Sequence, residues 1–494
     1  MKDPSRIYRW TLLLASLVTI AFLVGAAVRE NYLAQWRTVQ LQYRDILQEK
    51  ATDARGRELL ARYHVELKQV SLPALGTVDR CVTCHNGIDD PRMTDEPLPH
   101  RVHPKDILLH HPVDRFGCTI CHHGQGAATN FNDAKAEDVF WDYPLLPPEM
   151  TQATCATCHD AEKLPAEQIP LLRAGMKLYR EKSCGSCHKL DGRGGALGPV
   201  LDSEGAKTKH QLIMTNLKPP HTTWAWQQAH FRDPGGVVAD SQMRNPTITR
   251  QEALALTVFM LSQWKRDVPE SYLAPDKIEQ KYAALHRTPL TGEQVYQQYC
   301  TACHGNGSYG RWDKTFRRFV PAVRGASLTA IASRDYLVSN IRQGRPGTQM
   351  PSWDPQAGGL LPEEIAAVAD FLRAGAPTAH LLPTLALPGD GERGRSLFLR
   401  NCAGCHGGDG RGGLAPEIGN PVFQQAASDA FIVQTIRLGR QSTAMPAFQR
   451  PDAPALSDQD IADLLALLRT WRAPAERPAM AQSTASRASS RGKP

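Results

Sequence analysis

Residues 400–413 read RNCAGCHGGDGRGG, and the five residues from Cys402 to His406 decide the interpretation of the whole chain. The same pattern, Cys-x-x-Cys-His, occurs six times in 494 residues and uses all twelve cysteines, so none is left over for a disulfide. Two thiols three residues apart on one helical turn reach both vinyl groups of a haem, and the adjacent histidine reaches the iron. The pattern therefore predicts six covalently attached haem c groups.

The six motifs supply the attachment cysteines and the proximal histidines. Numbered 1 to 6 in chain order, they are Cys81/Cys84/His85, Cys118/Cys121/His122, Cys155/Cys158/His159, Cys184/Cys187/His188, Cys300/Cys303/His304 and Cys402/Cys405/His406. Zinc sites also use Cys-x-x-Cys, but tetrahedral zinc does not require a histidine directly after every second cysteine. Haem is therefore favoured over zinc.

Length and composition set the broad class. At about 150 residues per domain, 494 residues predict about three domains, and a mean hydropathy of −0.38 excludes a polytopic membrane protein. The net charge is +7, yet no basic run or aromatic-interleaved basic patch occurs, so nucleic-acid binding is not expected. Residues 408–413 match G-x-G-x-x-G but follow no predicted strand, so a dinucleotide site is not expected either.

One apolar segment lies near the N-terminus. Trp10 to Val28 is a run of 19 residues without a charge, which as a helix spans about 28 Å of hydrocarbon. Basic residues precede it, so the positive-inside rule places the N-terminus in the cytoplasm and everything after Arg29 in the periplasm. Residues 1–29 are predicted to be a single-pass anchor in the cytoplasmic membrane, and the alternative is a signal peptide cleaved near residues 25–27.

The amino-acid composition changes twice after the apolar segment. Residues 30–72 are charged and helix-prone, which predicts a stalk helix leaving the membrane or an amphipathic helix packed on a partner chain. Residues 73–168 are rich in Pro, Gly, His and Asp and contain motifs 1 to 3, which predicts a loop-rich trihaem segment whose core is supplied by haem. The composition of residues 476–494 predicts a disordered tail.

An internal repeat organises the remaining sequence. Each copy starts with a glycine and an aromatic residue four positions later, runs through motif 4, 5 or 6, and ends in an amphipathic helix with an N-cap signal. The three starts are Gly175 to Tyr179, Gly292 to Tyr296 and Gly394 to Phe398, and the three predicted domains are 169–270, 286–380 and 387–475. The expected fold class is all-α, with an anchor and stalk, a loop-rich trihaem segment and three tandem domains.

These three domains resemble class I cytochrome c domains in their N-terminal aromatic helix, attachment motif, Gly-Pro loop and distal methionine. In that family a proline carbonyl accepts a hydrogen bond from the proximal histidine and fixes its tautomer. The positions that match are Pro199, Pro321 and Pro416. The resemblance also implies a distal methionine, and an iron held by histidine and a thioether has a raised reduction potential.

Candidate distal methionines follow motifs 4 to 6. Met350-Pro351 and Met445-Pro446 match the Met-Pro pattern of the family, so Met350 and Met445 are expected to bind the fifth and sixth irons. Met243 is the expected ligand of the fourth iron, although Arg244 and Asn245 follow it instead of proline. The alternatives for that iron are Met214, His210, His221 and His230.

The trihaem segment has many histidines instead. Bis-histidine ligation is the natural expectation, and it favours ferric iron and a lower potential. The block resembles the N-terminal segment of membrane-anchored multihaem cytochromes, and this resemblance makes His103 and His111, each followed by proline, the expected distal ligands. For His64, His100 and His123 the alternative is a solvated surface role. Met150 and His110 remain alternatives for the third iron.

This block also resembles the N-terminal segment of membrane-anchored multihaem cytochromes associated with bc-type quinol-oxidising complexes. The matching stretches are Val78-Asp-Arg-Cys81, His111-Pro112, Phe116-Gly117-Cys118 and Gly124-Gln125-Gly126. The resemblance implies electron transfer from a membrane quinol-oxidising complex with a cytochrome b type subunit to a periplasmic redox protein or a terminal oxidase.

The alternative function is a multihaem enzyme in which one open haem reduces a small inorganic substrate. Such an enzyme often replaces the histidine of one motif with lysine, and no motif here does so. The third haem, at His159, is the only serious candidate for an open iron. We therefore expect an electron carrier without catalytic residues.

Overall fold

The computed structural model describes residues 4–104, 106–138, 140–283, 287–376, 385–441, 443–449 and 455–472. Most of these residues are helical, and the strands form two small antiparallel pairs, so the all-α prediction is confirmed. The chain divides into two compact units: unit 1 holds residues 1–179 and 201–287, and unit 2 holds residues 180–200 and 288–494. The predicted tail, 476–494, lies outside the described residues.

Unit 1 begins with the long apolar helix and contains motifs 1 to 3. Its helices are α1 (Pro4–Tyr32), α2 (Gln35–Lys50), α3 (Ala54–Arg62), α4 (Ile107–His110), α5 (Val113–Phe116), α6 (Thr119–His122), α7 (Phe131–Lys135), α8 (Cys155–Cys158), α9 (Pro170–Glu181, whose last two residues belong to unit 2), α10 (Thr223–Arg232), α11 (Pro234–Val237), α12 (Arg250–Leu261) and α13 (Pro275–Ala283). Strands β1 (Val70–Leu72) and β2 (Thr77–Asp79) pair in antiparallel register, with Ser71 opposite Val78.

Unit 2 contains motifs 4 to 6. Its helices are α14 (Gly292–Tyr299), α15 (Thr301–His304), α16 (Ala326–Thr329), α17 (Arg334–Gln343), α18 (Pro362–Arg373), α19 (Gly391–Asn401), α20 (Ala403–His406), α21 (Pro421–Ala426), α22 (Asp429–Leu438) and α23 (Asp458–Thr470). Strands β3 (Arg311–Asp313) and β4 (Arg318–Val320) form the second antiparallel pair, with Trp312 opposite Phe319.

Helix α1 is long and apolar enough to cross a membrane. Among the described residues it is the one helix with this property, and its most apolar window is wholly exposed in the fold. No charged side chain interrupts it between Arg9 and Arg29. The helix therefore has the length and composition that the sequence predicted for an anchor.

Residues 30–72 form several elements instead of one continuous stalk helix, which corrects the sequence-based expectation. Helix α2 ends at Lys50, the Asp53 carboxylate caps α3 by accepting from the Gly56 amide at 2.6 Å, and β1 completes the region. The buried residues of α2 are Trp36, Gln40, Tyr43 and Leu47. The side-chain amide of Gln40 donates to the carbonyl of Thr83, inside motif 1, at 2.8 Å. Helix α2 thus packs on the trihaem segment of its own chain.

Each of the three sequence repeats closes with the same helix crossing. A β-carbon added to the first glycine would lie 2.1 Å from a carbonyl oxygen of the closing helix, so only glycine permits this approach. The glycine and carbonyl pairs are Gly175 with Ala255, Gly292 with Ala367, and Gly394 with Asp463. The aromatic residue four positions later contacts a second aromatic ring: Tyr179 with Phe259, Tyr296 with Phe371, and Phe398 with Trp471. The Gly-x-x-x-aromatic repeat therefore encodes this crossing.

The repeats that carry motifs 5 and 6 share one hydrophobic core. Tyr336 of α17 stacks on Phe431 of α22 with ring centroids 4.5 Å apart, and buried residues of both repeats join the same cluster. By contrast, the apolar cluster that joins α2 to the trihaem segment is small and consists of Tyr43, Leu47 and Met93. The cluster between α2 and the trihaem segment therefore contains far fewer buried side chains than the core shared by the repeats of motifs 5 and 6.

Candidate haem sites

All six motifs adopt one short helical turn. In each, the backbone amide of the histidine donates to the carbonyl of the first cysteine at 2.9–3.0 Å, which is the i to i+4 bond of an α-turn. That turn brings both thiols and the imidazole to one side of the backbone. All twelve cysteines are free thiols. The residues present therefore fit covalent attachment of haem c, whose chemistry is reversible one-electron exchange at the iron.

The cysteines of the motifs differ in exposure, although the sequence pattern does not distinguish them. Cys405, the second cysteine of motif 6, is exposed, so a haem on this motif would be attached at the surface of unit 2. The other eleven cysteines are half-buried: Cys81, Cys84, Cys118, Cys121, Cys155, Cys158, Cys184, Cys187, Cys300, Cys303 and Cys402. The role of each as an attachment cysteine stays a prediction.

In unit 2 the first cysteine of each motif also has a perturbed thiol. Burial raises the pKa to about 12 in Cys184 and Cys300 and to about 11 in Cys402. The free thiol is therefore the stable form of these side chains at neutral pH. The carbonyls of the second cysteines, Cys187, Cys303 and Cys405, accept hydrogen bonds from the Gly198 amide, the Arg311 guanidinium and the Ala415 amide, respectively.

The proximal histidines of motifs 4 to 6 are oriented by proline carbonyls. Nδ1 of His188 lies 2.9 Å from the carbonyl oxygen of Pro199, Nδ1 of His304 lies 3.2 Å from that of Pro321, and Nδ1 of His406 lies 2.9 Å from that of Pro416. A carbonyl accepts only, so Nδ1 carries the proton and Nε2 is left to bind iron. These contacts are the ones that the resemblance to cytochrome c implied.

Two methionine loops in unit 2 have the same internal hydrogen bonds. In the first, the amide of Arg345 donates to the carbonyl of Met350 at 2.9 Å, and the amide of Met350 donates to the Thr348 hydroxyl at 3.1 Å. In the second, Arg440, Met445 and Thr443 make the same two bonds at 3.0 and 3.1 Å. The repeated pattern Arg-x-x-Thr-x-Met-Pro thus folds into one loop twice.

A glycine begins each methionine loop. Gly344 and Gly439 have φ of +66° and +65°, and a β-carbon would lie 2.4 and 2.5 Å from the backbone of Pro351 and Pro446, respectively. Any other residue would be strained there by its conformation and by the close contact. The glycine therefore fixes where the Met-Pro pair turns back on its helix.

In the trihaem segment two predicted distal histidines face proximal histidines. The ring centroids of His103 and His122 are 6.2 Å apart, and those of His111 and His159 are 6.0 Å apart. Two imidazoles bound to opposite sides of one metal ion, each with a metal–nitrogen distance of about 2.0 Å, have centroids about 6 Å apart. The spacing of both pairs would suit one iron held by both rings, in which case His103 would belong with motif 2 and His111 with motif 3.

The remaining nitrogens of the facing histidines support this arrangement. Nδ1 of His103 lies 2.9 Å from the Pro104 carbonyl, and Nδ1 of His111 lies 3.1 Å from the Ile107 carbonyl, so each Nε2 is left for a metal. Nδ1 of His159 lies 3.7 Å from a carboxylate oxygen of Asp276. Nothing local in the sequence signals this carboxylate, because it comes from α13, far along the chain.

Burial also favours the neutral form of several proximal histidines. It lowers the pKa of His85, His122 and His406 below the usual imidazole value, which favours the neutral ring that binds metal. The backbone carbonyl of Pro99 lies close enough to His85 to offset part of this lowering of its pKa. A proline carbonyl is thus near this histidine as well, although the sequence analysis did not find it.

The other candidate ligands have varied surroundings. His64 and His110 are exposed, whereas His100 is only 4% exposed and its Nδ1 has no hydrogen-bond partner. His123 packs against Trp264 with ring centroids 5.2 Å apart, so the surface alternative does not describe it. Met150 is buried.

The fourth distal ligand stays a prediction. Met243 belongs to unit 1, as do the alternatives Met214, His210, His221 and His230, whereas motif 4 belongs to unit 2. Nε2 of His221 lies 2.9 Å from the carbonyl of Leu217, and His230 stacks on Trp226. These local contacts do not select one ligand.

Neighbouring motifs in the trihaem segment contact each other directly. The thiols of Cys81 and Cys118 lie close together across motifs 1 and 2. The buried carboxylate of Asp79 accepts from the Cys118 amide at 2.6 Å and so fixes the start of motif 2. The hydroxyl of Thr154, just before motif 3, donates to the Cys121 carbonyl of motif 2 at 3.2 Å. Motifs 1, 2 and 3 therefore form a continuous row.

Motifs 4 and 5 are in contact within unit 2. Ser183, directly before motif 4, hydrogen-bonds through its hydroxyl to Thr301 of motif 5 and to the Gln297 carbonyl. The ring of Tyr299 lies against Gly185 of motif 4. The two attachment turns therefore pack on each other.

The loops around motifs 5 and 6 are also joined. The Arg345 guanidinium, from the first methionine loop, donates to the Glu417 carbonyl at 3.2 Å. Glu417 directly follows Pro416, the acceptor of His406. The side-chain amide of Asn420 donates to the Pro346 carbonyl at 3.0 Å. The distal loop of motif 5 therefore contacts the proximal loop of motif 6.

Comparison with known families agrees with this geometry. Residues 172–264 match the family model described as "Cytochrome c", and residues 287–372 and 389–468 match the model described as "Cytochrome C oxidase, cbb3-type, subunit III". A cytochrome c-553-like protein of Synechocystis sp. is 37% identical over 91 residues, which is 18% of this chain and 78% of that protein. The chain belongs to the c-type cytochromes. As a member of that family, the cytochrome binds haem c covalently and transfers electrons through it.

Other relatives are subunits of cbb3-type cytochrome c oxidases. Subunit FixP of Bradyrhizobium sp. (strain ORS 278) is 31% identical and subunit CcoP of Azospirillum sp. is 28% identical, each over 35% of the cytochrome. The matches cover 58% and 60% of those subunits, so the cytochrome spans less than two thirds of their length. A solved chain of the reducing HAO-like complex of Kuenenia stuttgartiensis is 21% identical over 36% of the cytochrome and 94% of that chain, with a TM-score of 0.25.

Proposed function

We propose that the cytochrome carries electrons through six haems, one on each motif, from bis-histidine haems of low potential in the trihaem segment to histidine–methionine haems of higher potential in unit 2. The observation that carries the proposal is the direct contact between attachment segments, such as Thr154 with Cys121 and Ser183 with Thr301. Packed attachment turns bring their macrocycles close together. Electrons then pass between haems without leaving the protein.

The electron donor in this proposal is a membrane quinol-oxidising complex with a cytochrome b type subunit. Helix α1 would fix the cytochrome in the cytoplasmic membrane as a single-pass protein, with the haem-binding regions in the periplasm. The trihaem segment follows α1 and α2 directly, which supports entry of electrons at this end. The acceptor is a terminal oxidase or a periplasmic redox protein, and the similarity of residues 287–468 to cbb3-type oxidase subunits supports an oxidase.

Co-purification tests the donor. The full-length cytochrome, carrying a C-terminal tag, is extracted from native membranes in mild detergent and mixed with a quinol while haem absorbance is recorded. We expect a cytochrome b type subunit to co-purify and the haems to become reduced. A cytochrome that purifies alone and stays oxidised with quinol would contradict this donor.

The alternative is an enzyme with an open iron at motif 3. The distance of 6.0 Å between the rings of His111 and His159 supports a closed iron instead. We therefore expect the reduced native cytochrome to bind no stoichiometric carbon monoxide, whereas His111→Ala should bind one equivalent. His110→Ala, at the exposed neighbouring histidine, is the control and should bind none. Stoichiometric binding by the native protein would favour the enzyme.

A further inference from the structure

A loop of the trihaem segment is attached to the end of α1. The Thr129 hydroxyl donates to the Glu30 carboxylate at 3.3 Å, and the Phe131 amide donates to the side-chain carbonyl of Gln35 at 3.1 Å. Glu30 lies in the last turn of α1, and Gln35 begins α2. Residues 129–138 and 140–141, together named the α1-exit loop, are thus held at the level where α1 stops being apolar.

The α1-exit loop exposes aromatic side chains. Phe131 is 57% exposed and Phe140 is 83% exposed. The ammonium of Lys135 lies over the Phe131 ring, 4.5 Å from its centroid. Aromatic residues concentrate at headgroup level in membrane proteins. The exposed rings therefore suit a lipid interface better than open water.

A cleft of about 1240 Å³ lies between α1 and this loop. Its α1 wall is one helical stripe of small and apolar residues, spaced three and four apart: Val18, Ala21, Phe22, Gly25 and Ala26. Its upper wall is polar and includes Arg29, Asn130, Asp133 and Asp138. The cleft is apolar along the helix and charged at the top, as an acyl chain and its headgroup require.

The charges at the top of the cleft have both signs. Arg29 suits a phosphate, and the carboxylates of Asp133 and Asp138 suit an ammonium group. A zwitterionic headgroup such as phosphoethanolamine carries both. An anionic headgroup without an ammonium group would leave the three carboxylates that line the cleft, those of Glu30, Asp133 and Asp138, facing negative charge.

We propose that the α1-exit loop lies in the interface of the membrane that α1 spans, and that a zwitterionic phospholipid with an ammonium headgroup occupies the cleft. The inference rests on α1 crossing the membrane, as in the proposed function. The acyl chain lies along the α1 stripe and the headgroup lies under the loop. The cytochrome thus contacts the bilayer at a second place besides its anchor.

This contact sets the position of motif 2. The Gln125 amide donates to the Ala134 carbonyl at 3.0 Å, and the Leu146 amide donates to the His122 carbonyl at 2.9 Å. The loop is therefore joined at Ala134 to a residue close after motif 2, and the chain just beyond the loop is joined at Leu146 to motif 2 itself. A loop held in the interface keeps motif 2 at a fixed height above the bilayer, where a membrane-bound electron donor reaches it.

Photo-cross-linking tests the lipid contact. Phe131 is replaced by p-benzoylphenylalanine in the full-length holoprotein, which is placed in nanodiscs containing phosphatidylethanolamine and irradiated. We expect the loop peptide to gain the mass of one phospholipid. The same substitution at Leu12, within α1, is the positive control, and the substitution at Tyr282, an aromatic residue 63% exposed in unit 1, is the comparison. An adduct at Leu12 with no excess at Phe131 over Tyr282 would overturn the proposal, as would an adduct with a protein.

Headgroup selection is tested by native mass spectrometry of the same holoprotein. Asp133→Asn with Asp138→Asn should reduce retained phosphatidylethanolamine at least tenfold relative to phosphatidylglycerol. Glu137→Gln, in the same loop but outside the cleft lining, should leave the ratio unchanged. Retention of a quinone in place of phospholipid would overturn the assignment. Loss of quinol reduction with the lipid adduct intact would count against the proposed donor alone, so the two failures are distinguishable.

Discussion

The methionine loops of unit 2 and the histidine pairs of the trihaem segment hold candidate iron ligands in opposite ways. Each loop is local: a glycine, an arginine, a threonine and the methionine lie within seven residues, and the last three bond to one another. The pairs are long-range, since His103 faces His122 and His111 faces His159 across intervening elements. Repetition of a domain preserves a local ligand loop, whereas the trihaem segment positions its ligands only by folding as a whole.

The two arrangements also differ chemically. A thioether stabilises ferrous iron, and a second imidazole favours ferric iron. Exchanging one kind of ligand for the other should therefore have the largest effect. In Met445→His we expect the potential of the haem on motif 6 to fall by about 200 mV, because the axial ligand is a main determinant of potential. Potentiometric titration followed by haem absorbance measures the shift.

The control for this exchange is Met260→Leu, at a buried methionine of α12 that packs in a core. It should leave all potentials unchanged. If Met445→His leaves every potential where it was, then Met445 is not the ligand and the comparison between loop and pair fails for motif 6.

The equivalence of the two loops is tested at their glycines. Gly439→Ala places a β-carbon at a φ of +65° and 2.5 Å from the Pro446 backbone, so we expect a loss of about 1–3 kcal/mol in the free energy of unfolding. Gly344→Ala should cost a similar amount. Both variants should weaken the methionine-to-iron absorption band of the ferric protein, and chemical denaturation measures the stability.

Gly235→Ala provides a matched control, because a β-carbon there meets nothing within 4 Å. It should change neither stability nor absorption. A large loss in the free energy of unfolding for one glycine variant and none for the other would show that the two loops share hydrogen bonds but not the same backbone strain.

A smaller effect is expected beside motif 3. The Asp276 carboxylate increases the basicity of His159 and so favours ferric iron. In Asp276→Asn we expect the potential of that haem to rise by the equivalent of about 1 kcal/mol, or about 40 mV for one electron. Glu279→Gln, on the same helix and paired with Lys163 at 2.6 Å, should leave the potential unchanged. Equal shifts in both variants would indicate a general charge effect.

What the sequence predicted well was local. The attachment turns and the carbonyls of Pro199, Pro321 and Pro416 follow from short motifs, and the structure has the expected contacts. The sequence predicted His103 and His111 as ligands. Which proximal histidine each of them faces depends on the tertiary fold of the segment between them. A sequence pattern does not contain that information.

The contacts that the sequence missed are also long-range. Gln40 of α2 bonds to Thr83 across 43 positions, and Asp276 reaches His159 from α13. From sequence alone, a charged, helix-prone stretch is predicted to be a free stalk, because the pattern does not reveal the partner of the buried Gln40 amide. Met243 remains a prediction for the same reason, because its local sequence departs from the Met-Pro pattern.

The close approach of Cys81 and Cys118 has a consequence for biogenesis. An enzyme that attaches haem needs access to both thiols and the histidine of a motif. In the folded trihaem segment the thiols of Cys81 and Cys118 lie near each other, and Thr154 bonds to the backbone of Cys121. We therefore expect haem attachment to precede folding of this segment.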